Sequence, residues 1–157
     1  MEKVEINKQA RLSEHFTLAE MCRTSAKTAD GNIPSHVHIE NLKRLCGWLE
    51  MLRSEWNKRY GEGDDPIVIN SGYRSEAVNK AVGGVKGSNH LTGCAADIRV
   101  AGIEQLVRYA TILLDISDES QEDFDELLLE RSPRGGYWLH FAVRPSGNRR
   151  KVMLIQT

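Results

Sequence analysis

Three short apolar segments near the carboxyl end most constrain the fold of this chain. They read DELLLE at 125–130, YWLHFAV at 137–143 and KVMLIQ at 151–156. Each has the length and apolar content of a β-strand. The turn-forming sequences SPRGG and RPSGN separate them. We therefore expect these strands to form an antiparallel meander, in which each strand pairs with the next.

The first two thirds of the chain is dominated by helical patterns. Thr17 and Glu20 form a candidate capping box for a short helix, and Ser35 is a candidate cap for a long helix ending near Tyr60. The long helix carries one apolar stripe: Ile39, Leu42, Leu45, Leu49, Leu52 and Trp56. Further segments predict a strand at 66–73, a short helix at 75–82, a strand at 95–100 and a helix at 103–116. The sequence thus predicts an α+β fold, with an antiparallel sheet of about four strands packed with helices.

Length and charge limit the classes of protein to which this chain can belong. With 157 residues, the chain is long enough for one domain with a core, so we expect a single domain over 1–157 and a monomer. Lys and Arg number 21 against 22 Asp and Glu, which gives no charge surplus for binding nucleic acid. No apolar run approaches the ~18 residues of a membrane span. The start of the chain lacks an export signal and the three cysteines are scattered, so we expect synthesis in the cytoplasm with reduced thiols.

The segment SNHLTGCAAD at 88–97 predicts part of a metal site. Strand alternation turns Asp97 away from the core face of AADIRV, and it turns His140 away from the core face of YWLHFAV. With His90 they make two histidines and one carboxylate, the number of protein ligands of a catalytic zinc. The alternative is a polar loop and an unrelated strand histidine. We assign structural roles to the other three histidines, which are His15, His36 and His38.

An arginine and two acids could complete such a site. Arg74 lies just past a predicted strand, and its planar guanidinium suits two-point contact with a carboxylate, although an arginine there is more often a surface residue. In DELLLE, Glu126 and Glu130 share one face. If the hairpin closes through SPRGG, Glu130 comes near Trp138 and on the side of His140. A carboxylate there could act as a general base.

The ordered motifs resemble the zinc D-Ala-D-Ala peptidase family. They are F-T-L-x-E at 16–20, N-x-P at 32–34, SGYRS at 71–75, S-x-H-x-x-G-x-A-x-D at 88–97 and W-x-H at 138–140. That family includes D-Ala-D-Ala carboxypeptidases, dipeptidases and phage L-alanyl-D-glutamate endolysins. The resemblance covers about residues 12–144. It implies the fold shared with the hedgehog signalling domain, an antiparallel sheet backed by helices.

Carried over to this chain, the resemblance implies roles for individual residues. His90, Asp97 and His140 would bind Zn²⁺, Arg74 would read a substrate carboxylate, and Ser88 would contact the substrate or support the site. Trp138 is expected to line the cleft or to shield the metal.

One position departs from the family pattern. Many members carry their acidic catalyst three residues before the last histidine, where this chain has Tyr137. Glu130 is therefore our first candidate for the catalytic base, and Glu126, further from the hairpin end, is the second. Tyr137 could bond an oxyanion or simply pack. Cys94 could be a thiolate ligand, but a small buried side chain is favoured.

These expectations combine into one predicted activity, zinc-dependent hydrolysis of peptidoglycan stem peptides. The enzyme would be a D-Ala-D-Ala carboxypeptidase or an endolysin-type endopeptidase. It would act on the wall after release by phage lysis, or on wall precursors inside the cell. The alternative is a zinc-containing module without catalysis, which binds the wall or serves in a virion or its assembly. The departure at Tyr137 keeps that alternative open.

Overall fold

The computed structural model describes residues 7–157. The first six residues, which belong to the segment used to judge the export signal, lie outside the described residues. The helices are α1 Leu18–Met21, α2 His36–Arg59, α3 Glu76–Ala81 and α4 Ile103–Ser120, with one 3₁₀ turn at Asn89–Thr92. The strands are β1 Ile69–Ser71, β2 Ala95–Arg99, β3 Glu126–Arg131, β4 Tyr137–Ala142 and β5 Lys151–Gln156.

Side-chain caps fix where the first two helices begin. At α1, the Glu20 backbone N–H donates to Thr17 Oγ1 over 3.2 Å, and the Glu20 carboxylate accepts from the Thr17 backbone, so the predicted capping box is confirmed. At α2, the His38 N–H donates to Ser35 Oγ, and the Ser35 N–H donates to His38 Nδ1. These bonds satisfy backbone donors that the first turn of a helix leaves without partners.

The sheet confirms the α+β class and corrects the predicted meander. Within residues 7–157 it has five strands in the order β1-β2-β4-β3-β5. The β3–β4 hairpin is antiparallel as predicted, but β5 pairs with β3 and runs parallel to it. Strand β4 already has β2 on one edge and β3 on the other, so β5 cannot pair with β4 and instead occupies the outer edge of β3. Because β5 reverses direction after β4, it runs the same way as β3.

One face of the sheet packs on the long helices. Ile98, Leu139 and Phe141 are fully buried on that face, and Val143 continues it past the end of β4. They belong to a core with the α2 stripe and the buried face of α4. Alternation along a strand turns every second side chain to the opposite face. Asp97 and His140 therefore lie on the face away from this core.

Each helix among residues 7–157 is too short or too polar to cross a bilayer.

Candidate metal centre

Adjacent strands place Asp97 and His140 side by side. In the β2–β4 pair, Asp97 lies directly opposite His140. The His140 Nδ1 is 3.1 Å from Asp97 Oδ1. Both side chains are largely buried, with exposed fractions of 10% for His140 and 14% for Asp97. The strand register alone thus brings together two residues that are 43 positions apart in the sequence.

The 3₁₀ turn before β2 supplies the third side chain. Ser88 Oγ accepts a hydrogen bond from the His90 N–H over 3.2 Å and so caps the turn. The turn ends at Gly93, whose φ of 75° lies in the left-handed region. A Cβ at Gly93 would stand 2.6 Å from the carbonyl oxygen of His38, so only glycine fits this close approach. The reversal at Gly93 carries His90 back over Asp97, with Nε2 3.4 Å from Asp97 Oδ1.

The three side chains offer a donor set that fits a metal ion. One ligand atom from each of His90, Asp97 and His140 lies within 4.8 Å of the others. In tetrahedral zinc sites, ligand atoms ~2.0 Å from the metal stand about 3.3 Å apart. The separations from Asp97 Oδ1 to the two histidine nitrogens, 3.4 Å and 3.1 Å, bracket that value. Two nitrogens and one carboxylate oxygen could therefore hold an ion with little rearrangement.

The tautomer of His90 is set by a backbone carbonyl. His90 Nδ1 lies 2.7 Å from the carbonyl oxygen of Gly72. A carbonyl can only accept a hydrogen bond, so Nδ1 must carry the proton. In the neutral ring, Nε2 is then left with its lone pair pointing towards Asp97. This is the protonation state that a metal ligand requires.

His140 has a carboxylate on each side of its ring. Nε2 donates to Glu126 Oε1 over 3.1 Å, while Nδ1 faces Asp97. Burial alone would lower the pKa of His140, but the hydrogen bonds to Asp97 and Glu126 outweigh it and raise the pKa to about 9. Because Glu126 holds the proton on Nε2, Nδ1 is the nitrogen that would give up its proton to bind a metal. A carboxylate behind a metal-binding histidine also orients the ring and increases its basicity.

The two acids of β3 stand on opposite sides of His140. The residue directly across from His140 is Leu128, so Glu126 and Glu130 are each two positions away in register. From the sequence, Glu130 was the first candidate because it lies nearer the hairpin end. In this register, however, the two acids are offset equally from His140 along β3. Their partners differ instead. Glu126 accepts the proton of His140 Nε2, whereas Glu130 lies across from Trp138. Burial raises the pKa of Glu130 above its ordinary value.

Arg74 joins the cluster by bonding the outer oxygen of Asp97. Its Nη2 donates to Asp97 Oδ2 over 3.0 Å, and its Nε donates to Ser71 Oγ over 2.9 Å. Nη1 donates to Asn79 Oδ1 over 3.3 Å. Only 15% of the Arg74 side chain is exposed. The guanidinium thus fixes Asp97 with its other oxygen, Oδ1, facing both histidines.

Ser88 and Trp138 lie at the edges of the cluster. Ser88 is half-buried and lines a cavity of about 320 Å³, together with Asn41, Asn89 and Arg144. Trp138 is half-buried between Arg99 of β2 and Glu130 of β3. Alternation along β4 places it on the same face as His140.

Other side chains considered from the sequence lie elsewhere. Tyr137 alternates with Leu139 and packs against the core, so it is on the face opposite His140. The Cys94 thiol is buried, which raises its pKa. His15 bonds Glu50, and His38 caps α2 and stacks on Tyr73.

Two residues of the cluster were not singled out as functional from the sequence. Gly72 lies in the predicted strand at 66–73, and Asn89 lies between the motif residues Ser88 and His90. No local pattern indicates which backbone carbonyl will meet a histidine ring. The face shared by Glu126 and Glu130 was visible from alternation, but their different partners were not.

Comparison with known proteins gives two matches. The family model described as Peptidase M15 matches residues 14–116. That range contains Arg74, Ser88, His90 and Asp97 and ends before β3 and β4. The chain is also 32% identical over 84 residues to the zinc D-Ala-D-Ala carboxypeptidase of Streptomyces albus G. The matched segment is 54% of this chain and 31% of that protein, so the chain spans about a third of the relative's length.

Proposed function

Because this chain belongs to the peptidase M15 family, we propose that it is a zinc-dependent peptidase acting on peptidoglycan stem peptides. The observation that carries the proposal is the convergence of His90 Nε2, Asp97 Oδ1 and His140 Nδ1. In each ring the outer nitrogen bonds Gly72 or Glu126, which orients the other nitrogen towards Asp97. These hydrogen bonds restrict the motion of both rings. Such restriction is expected of histidines that bind a metal ion.

His90, Asp97 and His140 would hold the zinc ion. Bound zinc supplies Lewis acidity, which lowers the pKa of a water ligand towards ~7 and polarises the carbonyl of a peptide. Three protein ligands leave a fourth position of a tetrahedral ion for that chemistry. Glu126 keeps His140 oriented, and Arg74 keeps Asp97 oriented.

Glu130 is the proposed general base. It is half-buried on the face of the sheet that carries His140, two positions along β3 from Leu128, which pairs with His140. Its raised pKa brings it closer to the working pH, which favours a group that must first accept and then release a proton. Glu126 is less suited because its Oε1 already accepts bonds from His140 and Asn89. Glu130 would take the proton of the attacking water and pass it to the leaving amine.

Arg74, Ser88 and Trp138 are the proposed substrate contacts. Within residues 7–157, each terminal nitrogen of Arg74 uses one of its two N–H bonds, on Asn79 and on Asp97. The remaining N–H of each could form a fork for a peptide carboxylate. Ser88 could contact the peptide from the cavity beside the 3₁₀ turn, and Trp138 could contact it from the face of β4 that carries His140.

The finer activity is a D-Ala-D-Ala carboxypeptidase or an endolysin-type endopeptidase. The similarity to a protein named for the first activity supports the carboxypeptidase. An arginine fork beside the metal cluster suits a terminal carboxylate, and stem peptides also carry internal ones. The protein would meet these peptides in the wall after phage lysis, or as wall precursors.

Digestion of purified peptidoglycan and of free stem peptides, with fragments identified by mass, tests the proposal. The protein should release D-alanine or a stem-peptide fragment with zinc present, and chelation should stop the release. Loss of a terminal D-alanine identifies a carboxypeptidase, whereas an internal cut identifies an endopeptidase. A protein that binds zinc and sediments with peptidoglycan but releases nothing would overturn the peptidase and favour the binding module.

A further inference from the structure

We propose that Asn89 is a positioning residue for the metal centre, which acts by holding Glu126 against His140. Asn89 immediately precedes His90 in the 3₁₀ turn and is buried, with an exposed fraction of 5%. The inference deepens the proposed function and rests on the ligand set given there. The 3₁₀ turn would then supply two groups to the metal centre. His90 is a metal ligand, and the Asn89 amide holds Glu126, the hydrogen-bond partner of His140.

The contacts form a continuous path from Asn89 to the metal cluster. Asn89 Nδ2 donates to Glu126 Oε1 over 2.6 Å. The same oxygen accepts the N–H of His140 Nε2 over 3.1 Å. The opposite nitrogen of that ring faces Asp97 Oδ1. A shift of the Glu126 carboxylate would therefore remove the acceptor that orients the His140 ring.

The orientation of the Asn89 amide is determined by its surroundings. Nδ2 has two carboxylate oxygens within hydrogen-bond distance, Asp125 Oδ2 at 2.7 Å and Glu126 Oε1 at 2.6 Å. Oδ1 accepts from Arg144 Nε over 2.9 Å. A flipped amide would place its oxygen against two carboxylates and its N–H₂ against a guanidinium, so neither side would find a partner. All the bonding capacity of Nδ2 is used on the two acids.

The neighbouring ion pair keeps Asp125 in place without Asn89. Arg149 donates to both oxygens of Asp125, from Nε over 3.0 Å and from Nη2 over 2.8 Å. Its nearest approach to Glu126 is 3.8 Å, too long for a hydrogen bond. Among the hydrogen bonds of residues 7–157, the Glu126 carboxylate thus accepts from two side chains, Asn89 and His140. Removing the amide should leave Glu126 less firmly held, with the bond to His140, while Arg149 keeps Asp125 anchored.

Zinc affinity of the purified protein, measured by competition with a chromophoric chelator, tests this role. Asn89→Ala should bind zinc roughly 10- to 100-fold more weakly than the parent, as when outer partners of metal ligands are removed. Asn41→Ala is the matched control. Its Nδ2 donates to the Thr92 carbonyl of the same turn over 2.9 Å and does not reach Glu126. A merely structural role for Asn89 predicts equal losses in the two variants.

A double-mutant cycle shows whether Asn89 acts through Glu126. In a Glu126→Ala background, Asn89→Ala should change zinc affinity by less than about twofold, because the group it positions is gone. The Co²⁺-loaded protein gives a second readout, since its visible spectrum reports the ligand geometry and should shift in both single variants. Should Asn89→Ala not fold, Asn89→Ser replaces it, because a serine hydroxyl is too short to bridge both carboxylates.

The outcomes separate this inference from the proposed function. If the parent protein binds no zinc, the proposed function fails. If the parent binds zinc and Asn89→Ala binds it as tightly, or loses no more than Asn41→Ala, the positioning role is wrong while the zinc site stands. A full additional loss from Asn89→Ala in the Glu126→Ala background would also overturn it.

Discussion

The His90 ring donates its Nδ1–H to the carbonyl oxygen of Gly72, 2.7 Å away, across 18 positions of sequence. Gly72 can occupy this position because it has no side chain. A Cβ there would collide with the carbonyl oxygen of Met21, which accepts the N–H of Tyr73 over 2.8 Å. The contact between α1 and the end of β1 therefore places the carbonyl that sets the tautomer of a metal ligand.

Gly72→Ala should weaken both folding and zinc binding. The new methyl group must push the backbone away from Met21, and the Gly72 carbonyl would move away from His90. We expect zinc affinity to fall by at least about tenfold, as for other partners of metal-binding histidines. Chelator competition and thermal melting check this. Gly47→Ala is the control, because its Cβ meets nothing within 4 Å in helix α2 and should stabilise by up to ~1 kcal/mol. An unchanged zinc affinity in Gly72→Ala would contradict the role of the carbonyl.

Zinc should bind in about one equivalent and stabilise the fold. His90→Ala or His140→Ala should abolish binding at micromolar zinc, since each removes one of only three protein ligands. Chelation should lower the melting temperature of the parent, because an ion that binds the folded chain stabilises it. Metal analysis and thermal melting measure these effects. His36→Ala changes an exposed histidine at the start of α2 and should leave both quantities unchanged. Zinc retained in His140→Ala would mean that other side chains bind it.

Replacing Glu130 should lower kcat far more than replacing Glu126. Glu130→Gln preserves shape but cannot accept a proton, so kcat should fall on the order of a hundredfold or more with zinc content unchanged. Glu126→Gln should change kcat far less, because an amide oxygen can still accept the N–H of His140. Peptide turnover and zinc titration on the same preparations separate the two. A fully active Glu130→Gln would move the role of general base to Glu126 or another acid.

Arg74→Lys should reduce peptide hydrolysis much more than folding stability. Lysine keeps the charge near Asp97 but loses the planar fork that spans Ser71, Asn79 and Asp97. We expect kcat/KM to fall at least about tenfold, while the free energy of unfolding in urea changes by about 1 kcal/mol. Hydrolysis equal to that of the parent would show that the guanidinium fork is dispensable.

The buried Asp125 should make stability fall in acid. Burial alone would raise its pKa, but hydrogen bonds from Arg149 and Asn89 outweigh it and lower the pKa to about 2. The unfolded chain has the ordinary aspartate pKa of ~3.9. A depressed folded pKa stabilises above the unfolded value, so roughly 2 kcal/mol should be present above pH ~4 and lost as pH falls towards 2.

Urea unfolding of the chelator-treated protein between pH 5 and pH 2 measures this dependence. Asp125→Asn cannot ionise, so its free energy of unfolding should be lower at pH 5 and should change less with pH in that window. Equal slopes in the two proteins would show that Asp125 titrates normally in the fold.

Local sequence determined the elements and the faces of the strands. The stripe from Ile39 to Trp56 and the cap at Ser35 specify α2, because helical periodicity and capping depend on residues within a few positions of each other. Alternation in YWLHFAV and AADIRV assigned His140 and Asp97 to the face opposite Leu139 and Ile98. Their shared register in the sheet agrees with that assignment. The sequence alone thus predicts that Asp97 and His140 lie on the same face of the sheet.

Only the tertiary structure decided how these elements meet. Strand β5 cannot pair with β4 because both edges of β4 are occupied, a fact about the whole sheet and not about KVMLIQ. The pairing of Leu128 with His140 puts Glu126 and Glu130 on opposite sides of the ring, and a slip of one residue would have exchanged the faces. The carbonyl of Gly72 reaches His90, and the amide of Asn89 reaches Glu126, through contacts between segments that are distant in sequence. Such contacts follow from packing, which no local pattern of residues encodes.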